Sequence, residues 1–521
     1  MKPGRQFLFT LAFIEGASVM ACELFSAKMI APFFGGSIYV WAAVLGITLF
    51  ALMSGYYSGG YISARKKSEN TVYWVLILAG IFMMMMPYTS VWIMTANLNM
   101  SVQLGSTVSL LIFMFPPLLL MGMTSPLIIN LINTQLDETG KSAGSVYAIS
   151  TMGGIVATFL VGFYLLPEFG IKTPCFLFGA ALLILPLIAL LRSKIFSAGL
   201  VLIPVIYFGF QSQAKSPDEV DGIHVVYESE GVLGQIKVVD MYYPTLTRGY
   251  VPGRSLMVNN TAQTIMDLEN PQFDLWAWSH YFPTAVSIFP EGSDVLLLGL
   301  GGGTLVRQFE RLNFKMDVVE IDQRVKDVAL DYFFIDTSTN IIIDDARRYV
   351  NTCEKKYDVI TLDLFLNETP PVHVLTVESF EKIKSMLNPG GMVMMNFYGY
   401  ITGEKGRASR SIYKTFEEAG FHVDLLATPG EEAYRNLIFL ASEEQKDFSN
   451  IHYGEPYRDT VKNLTEHFIP KDEIQFDDAL VLRDNQPILE KIYLPAALDW
   501  RRSSIQANLI PMVQRGMQGV K

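Results

Sequence analysis

At 521 residues the chain is long enough for two or three domains, and half of it is hydrophobic while only 17% is charged, too apolar to be soluble throughout. Residues 1–212 carry ten Lys/Arg and six Asp/Glu, residues 213–521 thirty and forty-five, so the first part is near +4 and the second near −15. So acidic a second part excludes phosphate-backbone recognition, hence no nucleic acid as partner. The three cysteines, Cys22, Cys175 and Cys353, share no ligand or disulfide spacing, so no metal is expected.

In chain order, apolar runs recur at about 7–30, 38–62, 72–94, 104–132, 146–166, 174–191 and 195–210. A helix needs about 20 residues to cross the hydrocarbon of a bilayer. Residues 1–212 are therefore expected to form a multi-pass α-helical membrane domain of about seven helices, the last run being marginal in length. The lipid bilayer is the expected partner, and the cell (inner) membrane the expected location. The first run is not a cleaved leader, because it is too long and Glu15 and Glu23 interrupt it. With seven crossings, Arg65-Lys66-Lys67, Lys141 and Arg192/Lys194 share the side of the N-terminus, and Lys172 stands almost alone opposite. The positive-inside rule then places the C-terminal half outside. Two readings stay open: either the seventh run does not cross, or the C-terminal half is exported.

Glu15 and Glu23 lie eight residues apart on roughly one helix face, with Lys28 further on. Ionised groups are expensive at mid-bilayer and usually face a protein or water-filled interior. They point either to a cation or proton site inside the bundle or to a Glu–Lys pair that fixes helix packing. Pro116, Pro117 and Pro126 interrupt the fourth run, with Thr124, Ser125, Asn130 and Asn133 nearby, a pattern compatible with a polar pocket.

Residues 211–222 are polar, contain Pro217 and read as a linker. Alternating stretches at 223–228, 234–241 and 255–260 predict a small β-domain over 223–270. Over 271–445 strands are expected at 294–300, 316–321, 340–344, 357–363 and 391–397, with helices near 346–353, 376–387 and 406–419. This alternation predicts an α/β, Rossmann-like, doubly wound sheet, with ligands at the carboxyl ends of its strands. The strands at 421–427 and 436–441 are too close for another crossover and suggest an antiparallel hairpin. Residues 446–521 form a closing segment.

Three features at the expected strand ends fit a nucleoside. Gly299, Gly301, Gly302 and Gly303 follow the first strand, where a backbone turn can approach a ligand without side-chain clash. Glu320 ends the second strand about twenty residues on, where a carboxylate can accept both ribose hydroxyls. Asp345, after Asp344 at the end of the third strand, stands where an acid can meet the adenine amino group. A dinucleotide fits less well, because the last glycine of Gly-x-Gly-x-x-Gly is replaced by Thr304. Asp363, ending the fourth strand, is placed to orient or deprotonate an attacking amine.

The residues then resemble the spermidine synthase family (polyamine aminopropyltransferases), specifically its membrane-fused relatives. The soluble half is similar in order through Glu228-Ser229, Gln235-Ile236, Gln263, His280, Gly299-Leu300-Gly301-Gly302-Gly303, Val319-Glu320-Ile321-Asp322, Asp344-Asp345-Ala346 and Asp363. Ala31-Pro32-Phe33-Phe34-Gly35 and Met121–Pro126 in the first half, and Leu482–Glu490 near the end, extend the likeness over nearly the whole chain. The resemblance implies a fold of the S-adenosylmethionine methyltransferase type. It also implies transfer of an aminopropyl group from decarboxylated S-adenosylmethionine to a small-molecule amine, and a homodimer. Carried over, Glu320 would hold the ribose, Asp344 and Asp345 the adenine end, Gln235 and His280 would lie near the co-substrate, Gln263 near the amine, and Asp363 would be the base. The chain departs from the family where soluble members grip the far amine: the acid three residues after Asp363 is Leu366, and the aspartate of the glycine loop is Gly302. Other transfers from S-adenosylmethionine itself, methyl or aminocarboxypropyl, and a non-catalytic nucleoside-binding transporter or sensor are the alternatives.

Overall fold

The computed structural model describes residues 4–504 apart from 66, 133–138, 214–218, 221, 232, 246–247, 260, 365–369, 455–460 and 487. Asn133, Pro217 and Leu366 thus lie outside the described residues. Two compact units result, one of residues 1–216 with 229–234, the other of 217–228 with 235–521.

The described residues of the first unit up to Gln213 are built from helices: α1 (Arg5–Phe34), α2 (Ile38–Arg65), α3 (Glu69–Ala96), α4 (Val102–Phe113), α5 (Phe115–Ile132), α6 (Thr139–Leu160) and, further on, a helix over Lys172–Arg192. The fourth apolar run is two helices rather than one. Pro116 and Pro117 fall in the first turn of α5, where a missing N–H leaves no bond unmade. Among the described residues six helices are long and apolar enough to cross a membrane. They pair through glycine notches. A Cβ added at Gly16 of α1 would sit 1.9 Å from the Ser150 carbonyl of α6, one at Gly55 of α2 2.4 Å from the Leu119 carbonyl of α5, and one at Gly80 of α3 2.5 Å from the Gly179 carbonyl. Such close backbone approach is what small residues provide where apolar side chains alone give helices no reason to associate.

Glu15 is buried in this bundle, 2% exposed, and accepts a hydrogen bond from the Ser150 hydroxyl at 3.0 Å. Glu23 meets Thr48 of α2, and Lys28 lies further along α1. The last apolar run forms a 3-10 turn, Phe196–Val201, and a twelve-residue helix, Leu202–Gln213. Their combined rise is about 30 Å. This segment doubles back along the Lys172–Arg192 helix. Its far end reaches that helix's start, where Thr173 Oγ1 donates to the Ser212 carbonyl at 3.5 Å, and Phe208 stacks on Tyr88 with ring centres 5.5 Å apart.

The second unit begins with a five-stranded sheet in chain order: β1 (Glu219–Val220), β2 (Ile223–Ser229), β3 (Ile236–Thr245), β4 (Gly249–Val258) and β5 (Thr261–Asp267). β4 starts earlier than the alternation suggests, because Pro252 and Gly253 interrupt the pattern. β5 escapes the alternation altogether, because its register against β4 shifts between Leu256↔Thr264 and Met257↔Ala262. Gln263 is the extra residue of that bulge.

The larger sheet has seven strands in the order β11-β12-β10-β9-β6-β7-β8. These are β6 (Asp294–Leu298), β7 (Lys315–Glu320), β8 (Asn340–Ile343), β9 (Tyr357–Leu362), β10 (Leu387–Tyr398), β11 (His422–Ala427) and β12 (Asn436–Ser442). β6 to β10 run parallel, and β12 is antiparallel to both β10 and β11. The strands read as continuous apolar runs because helices cover both faces. One face packs Val350, Phe380, Phe416 and Ile492 against Ile360 and Leu362; the other packs Tyr281, Val306, Phe309 and Val328 against Leu297 and Val359. The chain steps outward from β6 through β7 to β8, then returns to β9 on β6's other side. The order therefore reverses between β6 and β9, and the carboxyl ends of those two strands frame the crevice where such sheets bind ligands.

Candidate active site

Gly299 and Asp363 occupy that reversal point. Gly299 donates its N–H to the Val319 carbonyl at 2.8 Å and Asp363 donates its own to the Leu298 carbonyl at 2.9 Å, so the loop after β6 is fastened between β7 and β9. Gly299 has φ +94°, and a Cβ there would fall 2.2 Å from the Asp363 carbonyl oxygen. Both conformation and space demand glycine. Gly301 and Gly303 also have left-handed φ, and Gly302 donates to the Thr264 hydroxyl of β5 at 2.9 Å.

Glu320 ends β7 with its side chain turned into the same loop. One carboxylate oxygen accepts from Leu300 N at 3.1 Å and the other from Asp322 N at 2.9 Å. Burial raises this carboxyl above its usual range, and the two backbone donors pull the other way. Asp344 is held beside it, its N–H donating to the Glu320 carbonyl at 3.0 Å, and its side chain pairs with Arg348 at 2.9 Å. Asp345 caps the helix Ala346–Thr352 through a bond from Arg348 N at 2.9 Å, and its other oxygen lies 3.4 Å from His373 Nε2. Gln263 stands next to Thr264, in the bulge of the strand that touches the glycine loop. The described part of the closing segment contributes the helix Leu489–Ser504, which touches β5 and buries Leu489, Ile492, Tyr493 and Ala496.

Asp363 lies beyond the end of β9 with one oxygen accepting a bond from the Asn396 amide of β10 at 3.0 Å. Burial pushes its carboxyl up to about 6, against the lowering effect of that bond. A carboxyl poised there is ionised at neutral pH and basic enough to take a proton from an amine as it reacts. Tyr398, two residues along β10, feels the Asp363 charge.

Two expected residues sit further back. His280 is 5% exposed, its Nε2 bonded to the Asp274 carbonyl at 2.8 Å, and burial lowers its pKa to about 4. It supports the loop from behind: fully buried Asp274 accepts a 2.7 Å bond from the Thr304 hydroxyl, at the start of the helix that follows the glycines. Gln235 opens β3, where its side chain donates to Glu228 at 2.8 Å and its N–H to the Asn259 side chain at 3.0 Å. Gly299, Gly301, Gly303, Glu320, Asp344, Asp345 and Asp363 lie at the carboxyl edge of the parallel strands; His280 lies behind the glycine loop, Gln263 is the neighbour of Thr264 in β5, and Gln235 bonds within the smaller sheet. The intramembrane candidates Glu15, Glu23 and Lys28 belong to the first unit.

Sequence reading missed the buried supports. Arg307 is 6% exposed and donates to the Gly302 carbonyl at 2.6 Å and the Phe333 carbonyl at 2.9 Å. Asn396 interrupts the apolar run of β10, a signal that could have been read: a polar residue in a buried strand needs a partner.

The carboxyl edge of this α/β sheet thus combines a glycine turn, a carboxylate at the end of the neighbouring strand and a half-buried acid across the reversal. Residues 283–452 match the spermine/spermidine synthase domain, so this part of the chain is similar to the spermidine synthase-like proteins. It is 33% identical over 121 residues to a probable polyamine aminopropyl transferase of Bifidobacterium longum, covering 22% of this chain and 27% of that one. It is 24% identical over 472 residues to polyamine aminopropyltransferase 2 of Aquifex aeolicus, covering 85% of this chain and 89% of the other, so that likeness includes the helical unit. An N-terminal histidine N-methyltransferase of Emericella nidulans is 33% identical over 140 residues, covering 25% of each. The chain spans only about a quarter of the length of the Bifidobacterium and Emericella relatives.

Proposed function

We propose that the chain is an aminopropyltransferase that moves the aminopropyl group of decarboxylated S-adenosylmethionine onto an amine, with methylthioadenosine as the second product. The observation that carries this reading is the abutment of Gly299 on the Asp363 backbone, which sets a half-buried acid next to the glycine loop. Glu320 would take the ribose hydroxyls, and Asp344 and Asp345 would face the adenine end. The acidic edge favours a co-substrate bearing a sulfonium and an ammonium. The amine nitrogen attacks the methylene next to sulfur, the C–S bond breaks with its electron pair returning to sulfur, and the proton lost by nitrogen passes to Asp363. The sulfonium is already a good leaving group, so the domain's work is alignment and proton acceptance. The full-length relative from Aquifex supports this reading.

The test is incubation of the full chain in lipid nanodiscs with each cofactor form and putrescine, followed by mass spectrometry. Methylthioadenosine that depends on amine is expected. Adenosylhomocysteine instead would favour methyl transfer, the second reading, which the Emericella relative supports. Tight nucleoside binding without either product would point to a sensor or transporter.

The helical unit is proposed to cross a lipid bilayer of the cell membrane. Six helices have the length and composition. The segment 196–213 supports a seventh crossing: its rise matches the hydrocarbon thickness of about 30 Å, and it returns to the level of Thr173.

A further inference from the structure

We propose that Asn436 and Asn396 form an amide relay that positions the Asp363 carboxylate and keeps it ionised, making both positioning residues for proton transfer. This rests on the aminopropyltransferase reading.

The relay follows from strand register. β10 lies between β9 and β12, and Asn396 comes one step beyond the last paired residues of β9, Met395↔Leu362, level with Asp363. Its amide nitrogen donates to Asp363 at 3.0 Å. On the other side, Asn436 is paired with Tyr398 in register, and its amide nitrogen donates to the Asn396 side-chain oxygen at 3.0 Å. Asn436 is anchored in turn, its N–H donating to the Thr428 hydroxyl at 2.8 Å and its carbonyl accepting from Thr428 N at 2.9 Å. Three strands thus supply one chain of donors pointing the same way.

An asparagine amide presents an oxygen or an N–H₂ group of almost the same shape, and either can face Asp363. With the oxygen facing the carboxylate, two acceptors meet and the ionised form is disfavoured; with nitrogen facing it, the ionised form gains a charge-assisted bond. The Asn436 nitrogen occupies the Asn396 oxygen, which leaves the Asn396 nitrogen to face Asp363. A mere structural role would need no such polarity. Asp363 meets backbone on its β6 side, at Gly299. On β10 the titratable group coupled to it is Tyr398, whose own pKa is raised well above the ordinary tyrosine value by burial and by the Asp363 charge. Tyr493, from the closing helix, stacks behind Tyr398 with ring centres 5.9 Å apart.

The test is Asn436→Asp, which keeps shape while replacing the donor with an acceptor. Asn396 then turns its nitrogen toward position 436 and its oxygen toward Asp363. The acid limb of the kcat/KM profile is expected to move up by about one pH unit, which lowers the rate at pH 6 about fivefold and leaves the rate near pH 9 within about twofold of wild type. Asn436→Gln, which keeps a donor, is expected to retain more of the wild-type profile. A uniform loss at every pH, or an unmoved limb, overturns the relay. Infrared titration of the Asp363 carboxyl, assigned with Asp363→Asn, gives a second readout that needs no turnover. A wild-type protein without product but with a carboxyl band that shifts in Asn436→Asp refutes the reaction and keeps the relay. Product formation with a band unmoved by the substitution does the reverse.

Discussion

Gly299 and Asp363 touch backbone to backbone across the point where the sheet order reverses, so that a methyl group on the first would lie 2.2 Å from the carbonyl oxygen of the second. One contact therefore ties the glycine loop to the strand end that carries Asp363, the proposed base. Gly299→Ala must either push β9 away or leave φ +94°. A strained backbone of this kind costs about 1–3 kcal/mol before any clash. Weakened co-substrate binding of at least about tenfold by calorimetry, with a lowered Tm, is the expected outcome; native affinity would show that the loop does not need this approach.

Asp363→Asn removes the base but keeps an acceptor for the Asn396 amide. Turnover is expected to fall about 10²–10⁴-fold, while nucleoside affinity stays within about threefold. The wild-type profile should rise with pH through about 6, because burial lifts the carboxyl to that value and the ionised form is the active one. The same shift has a consequence for stability. A carboxyl whose folded pKa lies above its unfolded value favours the fold at low pH and loses that contribution as pH rises through about 6. The neutral variant should therefore be more heat-stable than wild type at pH 8 and closer to it at pH 4. Thermal unfolding at the two pH values decides the matter, and an Asn variant less stable at pH 8 would mean the buried charge is better compensated than its surroundings suggest.

Glu320→Gln tests the nucleoside grip separately. The amide can still accept from one backbone donor but meets the other with its N–H₂ group, so either Leu300 N or Asp322 N loses its partner. Bonds to a charged acceptor are worth about 1.5–3 kcal/mol. An increase of about 10- to 100-fold in the Kd for methylthioadenosine, larger than for Asp363→Asn, is expected by calorimetry. Equal effects of the two substitutions would contradict the division of roles.

How much of this was legible beforehand depended on whether a residue's partner lay nearby in sequence. The strand ends at Leu298, Glu320, Ile343 and Leu362 could be read because apolar runs stop there, and Gly299, Glu320, Asp345 and Asp363 follow directly. β5 could not, since its bulge at Gln263 breaks the two-residue period that marks a strand. Asp345 looked like a ligand contact, and its position is also that of a helix cap; both needs select the same residue. Asn436, Asp274 and Arg307 carry no local signature at all, because each bonds to a residue between five and forty positions away whose proximity only the folded sheet creates.

If the helical unit crosses a bilayer as proposed, the number of crossings decides on which side the chain after it emerges. Residues 196–213 fall short of a regular span if they are counted as one α-helix, but the 3-10 turn stretches them to about 30 Å. Their end meets the beginning of the Lys172–Arg192 helix rather than its finish. Seven crossings put the N-terminus and everything after Ser212 on opposite faces. Lysine and arginine at 65–67, 141, 192 and 194 then share the N-terminal face, which the positive-inside rule makes cytoplasmic. Cysteines introduced at Gly4 and at exposed Tyr434, in a chain whose native cysteines are replaced by serine, should react with a membrane-impermeant maleimide from opposite sides of sealed vesicles. Labelling of both from one side would mean that the last segment folds back without crossing, and that the chain after it emerges on the side of the basic loops.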